Sequence, residues 1–320
     1  MCSRPTCFTR ACRAESAHNR GVTSQKQATS IRLRYHADLQ YDVRSPGCDF
    51  IFNVQAARTG QQHVVSEKLE ISQPVQPQYF VDPATNSRYL RLRADEGPLR
   101  VYCETVVDLL LHRAPAASLP EVPVAQLPAG TLPYLYPSRY CQSDRLHRFA
   151  FAQFGGLQQG YGRVQAIRDW VRSHVDFVSN SSDGNTSAVD TLVTKQGVCR
   201  DFAHLMIALC RAVNIPARFA TGIDYGADPA LGPPDFHAYV EAFVGDGWFM
   251  FDPSGTAIPM GFIRLATGRD AADCAFASIF GSVEWKSPLI GIEPIAGADG
   301  VRRMPEHCDD ALSTDAAERL

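Results

Sequence analysis

Three residues have the types and spacing for thiol acyl transfer. Residues 197–213 read GVCRDFAHLMIALCRAV, where Gly197 permits a tight turn and Phe202, Met206, Leu209 and Val213 recur at the spacing of one helical face. The pattern predicts a buried helix with Cys199 at or just before its first turn. Unpaired N–H groups and the positive end of the helix dipole favour a negatively charged sulfur there. Cys210 lies in the same helix, three turns on, where a thiol is a small apolar filler. About 16 Å of helix separates the two, too far for a disulfide.

Residues 235–252, DFHAYVEAFVGDGWFMFD, supply the other two. Ala238, Val240, Ala242 and Val244 alternate with His237, Tyr239, Glu241 and Phe243, as in a strand. Gly245-Asp246-Gly247 signals a hairpin, and Trp248–Asp252 returns. A two-residue loop at Gly245-Asp246 sets Val244 against Gly247 and gathers Phe249 and Phe251 with Val240, Ala242 and Val244 on one apolar face. Asp252 then falls opposite Tyr239, on the face of His237, a diagonal of about 7–8 Å between Cα atoms. A slip of one residue would part them, so the register that packs the core also pairs them. A cysteine at a helix start, a strand histidine and a facing aspartate are the parts of a thiol acyl-transfer site. Two other readings are a zinc site using Cys199 with His204 or His237, which lacks four ligands at plausible spacing, and a non-enzymatic cleft that grips a peptide.

GVCRDFAHL, IPARFATG, DFHAYVEAFV and GWFMFDPS resemble the motif segments of the bacterial transglutaminase-like group of the papain-like cysteine peptidase superfamily. The resemblance covers roughly residues 31–290. It implies Cys199 as nucleophile, His237 as base and Asp252 as orienter, on a helix packed against an antiparallel sheet. Tyr239 stands where many members have Trp, and Ser254 where many have Thr. The Cys199 backbone N–H is one candidate oxyanion donor; Gln196, Asn180, Asn185 and Trp170 are candidates for the second. The chemistry divides at the thioester, with water giving a peptidase or deamidase and a lysine amine giving a crosslinker. Hydrolysis is the expectation, since water is always present. Arg200, Asp201 and His204 are expected on the helix surface or in capping and packing, and Asp235 at the pocket rim.

The surrounding chain predicts an α+β protein. From Ile31 to about Arg113, short runs of alternating apolar and polar residues between turn signals predict a β-sandwich or barrel-like N-terminal domain, the kind commonly fused to the core above. Residues 114–143, with prolines at 115, 120, 123, 128, 133 and 137, form an extended connector. The catalytic core is expected over 144–296, with helices at 144–154 and 161–175 and a shorter one around Ala188–Val193. Residues 297–320 carry six acids and predict a loose acidic tail. Residues 1–30, with five Lys/Arg and one acid, predict a disordered basic extension with some transit-peptide character. Cys2, Cys7 and Cys12 within them have no second pair to complete a zinc site.

A net charge of −3 leaves no footprint for nucleic acid, and no apolar run approaches the roughly 18 residues that span a bilayer. The ten cysteines are spread through a large chain with no secretory apolar core, so reduced thiols and a cytoplasmic setting are expected. The expected partner is a peptide or protein substrate, with no cofactor and no metal; the oligomeric state stays open.

Overall fold

The computed structural model describes residues 30–227 and 234–316; the three N-terminal cysteines lie outside them. The first strands are β1 (Ile31–Val43), β2 (Cys48–Phe52), β3 (Gln62–Ile71), β4 (Gln78–Val81), β5 (Arg88–Ala94), β6 (Gly97–Leu109) and β7 (His112–Ala114). After three 3₁₀ turns in the proline-rich connector come α1 (Ser143–Phe154), α2 (Tyr161–His174), β8 (Asp176–Phe177), α3 (Ala188–Thr194), β9 (Gln196–Gly197) and α4 (Cys199–Ala212). The chain continues through β10 (Ala217–Ile223), β11 (Phe236–Val244), β12 (Gly247–Phe251) and β13 (Ile263–Gly268). It closes with β14 (Ala277–Phe280), β15 (Val283–Trp285), β16 (Leu289–Ile295), β17 (Ala311–Ser313) and β18 (Asp315–Ala316).

The N-terminal strands form two antiparallel sheets. One has the order β15-β1-β6-β3 with β16 also on β1, and the other is β14-β2-β5-β4. Leu39, Tyr41, Val43, Leu99 and Val101 of the first meet Phe50, Phe52, Leu90 and Leu92 of the second in one buried core, a sandwich. Strand β1 is buried at every second residue from Ile31 to Val43, and its two halves serve different cores. Beyond the sandwich, Ile31, Leu33, Tyr35 and Ala37 pack with Ala220, Tyr239 and Leu265 of the next sheet and with Phe262 just ahead of β13. A period-two pattern longer than one sandwich layer requires is how the sequence builds that junction.

That next sheet has the order β13-β10-β11-β12-β18. Helix α4 covers one face, where Phe202, Met206 and Leu209 join Ala238, Val240, Ala242, Val244, Phe249 and Phe251. The β11–β12 ladder pairs Val244 with Gly247 and Val240 with Phe251, the register expected from core packing. Helices α1, α2 and α3 follow the 3.6-residue period and pack around α4.

Two expectations are corrected. Residues 277–295, assigned to the core, instead complete the N-terminal sheets: β14 pairs with β2, while β15 and β16 pair with β1. Strand pairing across more than 200 residues leaves no local mark. Nor is the segment from 297 a loose tail throughout. Ala311–Ser313 pair with His112–Ala114, and Asp315–Ala316 extend the edge of β12. Acidic composition hid a short strand whose Ala311 and Ser313, with Thr314 after them, are wholly buried. Asp315 also has a charge partner inside. Its Oδ2 accepts from Arg218 at 2.7 Å and Arg264 at 3.1 Å, and both arginines face Glu241 Oε2 at 2.6 and 3.6 Å. Among the described residues no helix is long and apolar enough to cross a membrane.

Candidate functional site

Cys199 is the first residue of α4 and is half-buried. The helix start is built by Asp201, fully buried, whose Oδ2 accepts the Val198 N–H at 2.9 Å and the Ser182 hydroxyl at 2.5 Å. Gly197 is required beneath it, because a Cβ there would stand 2.6 Å from the Asp201 Cβ. Arg200 is turned away, donating to the Asp183 carbonyl at 2.7 Å and to Ser182. His204 is buried, stacked on Tyr140 at 4.9 Å, with Nε2 accepting the Ala271 N–H at 3.2 Å. Burial and the charges of Arg200 and Arg211 hold it neutral, well below the ordinary imidazole range. Asp201 and His204 thus serve capping and packing, as expected, but from the interior rather than the helix surface.

The other described cysteines differ from Cys199. Burial pushes the Cys103 thiol to about 11 and the Cys141 thiol to about 12, and raises Cys210 and Cys274 further. Only Cys308 among them is exposed, and all are free thiols. Half-exposure at a helix start is therefore particular to Cys199 among the described residues.

His237 lies near the start of β11 and is 5% exposed, its ring 5.2 Å from Phe262. Asp252 leaves β12 one residue beyond the end of the ladder and is equally buried. Its Oδ1 stands 3.5 Å from His237 Nε2, longer than a settled hydrogen bond and short enough for an ion pair. The carboxylate is held by three donors: Ser254 N–H at 3.0 Å, Ser254 Oγ at 2.6 Å and Ala257 N–H at 3.3 Å. Burial alone would raise its affinity for a proton, yet His237 and these donors keep it below the usual carboxylate range. Burial likewise opposes a charged His237 ring. Asp252, then Cys199 and Asp224, outweigh it and lift the ring well above the ordinary imidazole range. The arrangement can store a proton on the imidazole beside a thiol and return it.

Sequence reasoning missed Asp224, whose Oδ2 lies 3.5 Å from His237 Nδ1. Strand β10 pairs with β11 so that Gly222 faces His237. The same arithmetic that paired His237 with Asp252 would have found it, but the connection from 224 to 235 is too long for a turn rule to fix the register. Of the oxyanion candidates, the Cys199 N–H is at the first helical position, where no carbonyl of the helix can accept it. Trp170 is committed to an aromatic cluster with Phe149, Phe154 and His174. Asn180 and Asn185 are exposed in the loop after β8, and Gln196 is exposed on β9, paired with Asp176. Asp235 is exposed just before β11, where its Oδ1 accepts the Phe236 N–H at 2.7 Å. Among the described residues no group of three His, Cys, Asp or Glu side chains is placed to hold a metal.

Comparison with known proteins finds two matching families. Residues 148–253, which contain Cys199, His237 and Asp252, match the transglutaminase-like superfamily, and residues 31–130 match the bacterial transglutaminase N-terminal domain. Among solved structures, a "putative cysteine protease" from Cytophaga hutchinsonii is 39% identical with a TM-score of 0.82, over 89% of this chain and 98% of that one. An uncharacterized protein of Mycobacterium leprae is 33% identical over 117 residues, 35% of this chain and 42% of that protein. One of Mycobacterium bovis is 30% identical over 124 residues, covering 34% of this chain and 40% of its own length. The chain thus spans about two fifths of these curated relatives.

Proposed function

We propose, for a chain that belongs to the transglutaminase-like superfamily and carries its bacterial N-terminal domain, that it acts on peptide or side-chain amides of a protein or peptide substrate through a Cys199 thioester, and that water resolves the thioester. The observation that carries this reading is the buried His237–Asp252 pair beside Cys199, with the imidazole held toward its charged form. The Cys199 thiolate attacks the amide carbonyl, and the oxyanion meets the Cys199 N–H. The His237 imidazolium gives its proton to the leaving amine, so the C–N bond breaks and an acyl-enzyme remains. The neutral ring then takes a proton from water as hydroxide adds to the thioester, and Cys199 leaves. Asp252 keeps the ring in one tautomer and balances its charge in both half-reactions. A catalytic thiolate suits a reducing compartment, consistent with a cytoplasmic setting.

Alkylation by iodoacetamide at about pH 6, where an ordinary thiol is protonated, tests the nucleophile. One thiol should react faster than free cysteine and vanish in Cys199→Ala. If none does, or the fast thiol survives the substitution, thiol catalysis fails and a peptide-binding cleft is left. A glutamine peptide with and without a fluorescent amine separates the acceptors. Ammonia release without amine incorporation supports hydrolysis; incorporation makes the protein a crosslinker.

A further inference from the structure

The acyl-transfer mechanism gives Asp224 no task, yet it is placed as closely on His237 as Asp252 is. It directly follows Ile223, the last residue of β10. Because Gly222 pairs with His237, Asp224 is the diagonal neighbour on the same face. Its side chain is 4% exposed and Oδ2 lies 3.5 Å from Nδ1, the mirror of the Asp252 contact at Nε2. The imidazole is bracketed by two buried carboxylates.

The two are not equivalent. Asp252 is fixed by donors from Ser254 and Ala257 and sits below the usual carboxylate range. Asp224 lies above that range, because burial and the charge of Asp252 outweigh the attraction of His237. The groups acting on the ring come from every side: Asp224 from the end of β10, Asp252 after β12, Cys199 from α4, and the uncharged Phe262 ring ahead of β13. Asp224 acts in turn on Asp235, whose carboxyl is raised by burial and, less, by that charge.

We propose that Asp224 is a positioning residue of this site, holding the Nδ1 edge of His237 and sharing with Asp252 the charge of the imidazolium that accompanies the Cys199 thiolate. The inference rests on the acyl-transfer reading. Its sign is fixed by electrostatics: an anion beside the ring favours imidazolium and opposes ionisation of the neighbouring thiol. Loss of that anion lets the thiolate form at lower pH and the ring lose its proton at lower pH. Both limbs of the reactivity profile move acidward together. A residue that only packs would leave the limbs where they are and change stability alone.

The test is the pH profile of Cys199 alkylation by iodoacetamide in the full chain, with Cys199→Ala subtracted, for the wild type, Asp224→Asn and Asp224→Glu. Both limbs should move acidward by about one unit or more in Asp224→Asn, the size expected for removing a charge at this range. Asp224→Glu should return them toward the wild type. Asp224→Ser gives the same displacement if the Asn variant does not fold. Profiles that superimpose on the wild type, with Cys199 still fast, overturn the proposal and leave acyl transfer standing. A wild-type Cys199 no faster than free cysteine is a separate result, and it removes acyl transfer itself.

Discussion

Glu241 shares β11 with His237, and replacing it should expose how that strand is anchored. Its carboxylate is 1% exposed and faces two buried cations. Arg218, 3% exposed, approaches Oε2 at 2.6 Å, and Arg264, wholly buried, at 3.6 Å. Among the described residues the only other anion in the cluster is Asp315, with 29% of its side chain exposed. Glu241→Gln keeps the shape and leaves two interior cations against one peripheral carboxylate. Breaking a buried pair in this way costs about 3–5 kcal/mol, mostly as the desolvation of the charge left behind. At about 2–4 °C per kcal/mol for a chain of this size, the melting temperature should fall by roughly 6–20 °C. Since the cluster is shielded from solvent, the loss should persist at high salt, where exposed pairs are screened. Thermal unfolding followed by circular dichroism at low and high salt reads both effects. A shift under about 2 °C, less than roughly 1 kcal/mol, or one abolished by salt, would refute the idea that this cluster is a desolvated anchor.

Three further outcomes follow from single contacts. His204 is neutral when folded and held well below the ordinary imidazole range, so its stabilising contribution is complete above about pH 6.5 and declines as the pH falls below that. His204→Gln, which can still accept the Ala271 N–H, should lose about 1.4 kcal/mol less than the wild type between neutral pH and about pH 5.5 in denaturant melts; parallel losses would contradict this. Gly222→Ala puts a Cβ 2.6 Å from the Ile263 carbonyl oxygen, opposite His237. It should cost about 1–3 kcal/mol, whereas Gly162→Ala, where the methyl meets nothing among the described residues, should gain about 0.5–1 kcal/mol; equal melting points would count against the packing. Asp252→Asn removes the charge at His237 Nε2 and should slow amide turnover by about 10³–10⁴-fold, with the alkaline limb of Cys199 alkylation moving acidward; an unchanged limb would show that Asp252 does not support the imidazolium.

What could be read from the sequence was local. The helix start at Cys199 follows from Gly197 and the apolar period after it, and the β11–β12 register follows from a two-residue turn that fixes every opposed pair. Asp224 escaped because its pairing with β11 crosses a long connection. The same applies to β14 and β16, whose partners lie more than 200 residues back, and to β17, whose three residues carry no pattern of their own. Charge composition misled at the C-terminal end. Asp315 reads as one more surface acid, yet it is a counter-ion of Arg218 and Arg264. A wholly buried arginine such as Arg264 cannot be told from a surface one until the strand above it is placed. The candidate site residues were visible where one turn or one helix sets the geometry, and hidden where two strands distant in sequence had to meet.

The central claim, that Cys199 carries the acyl group, is tested most directly by mass spectrometry of the protein quenched after reaction with p-nitrophenyl acetate. The account predicts a burst of one nitrophenolate per chain and a single acetyl group on the Cys199 peptide. That group should be labile to hydroxylamine and absent from Cys199→Ala. Acetylation spread over Cys308 and other sites with Cys199 unmodified, or a burst that survives Cys199→Ala, would contradict it.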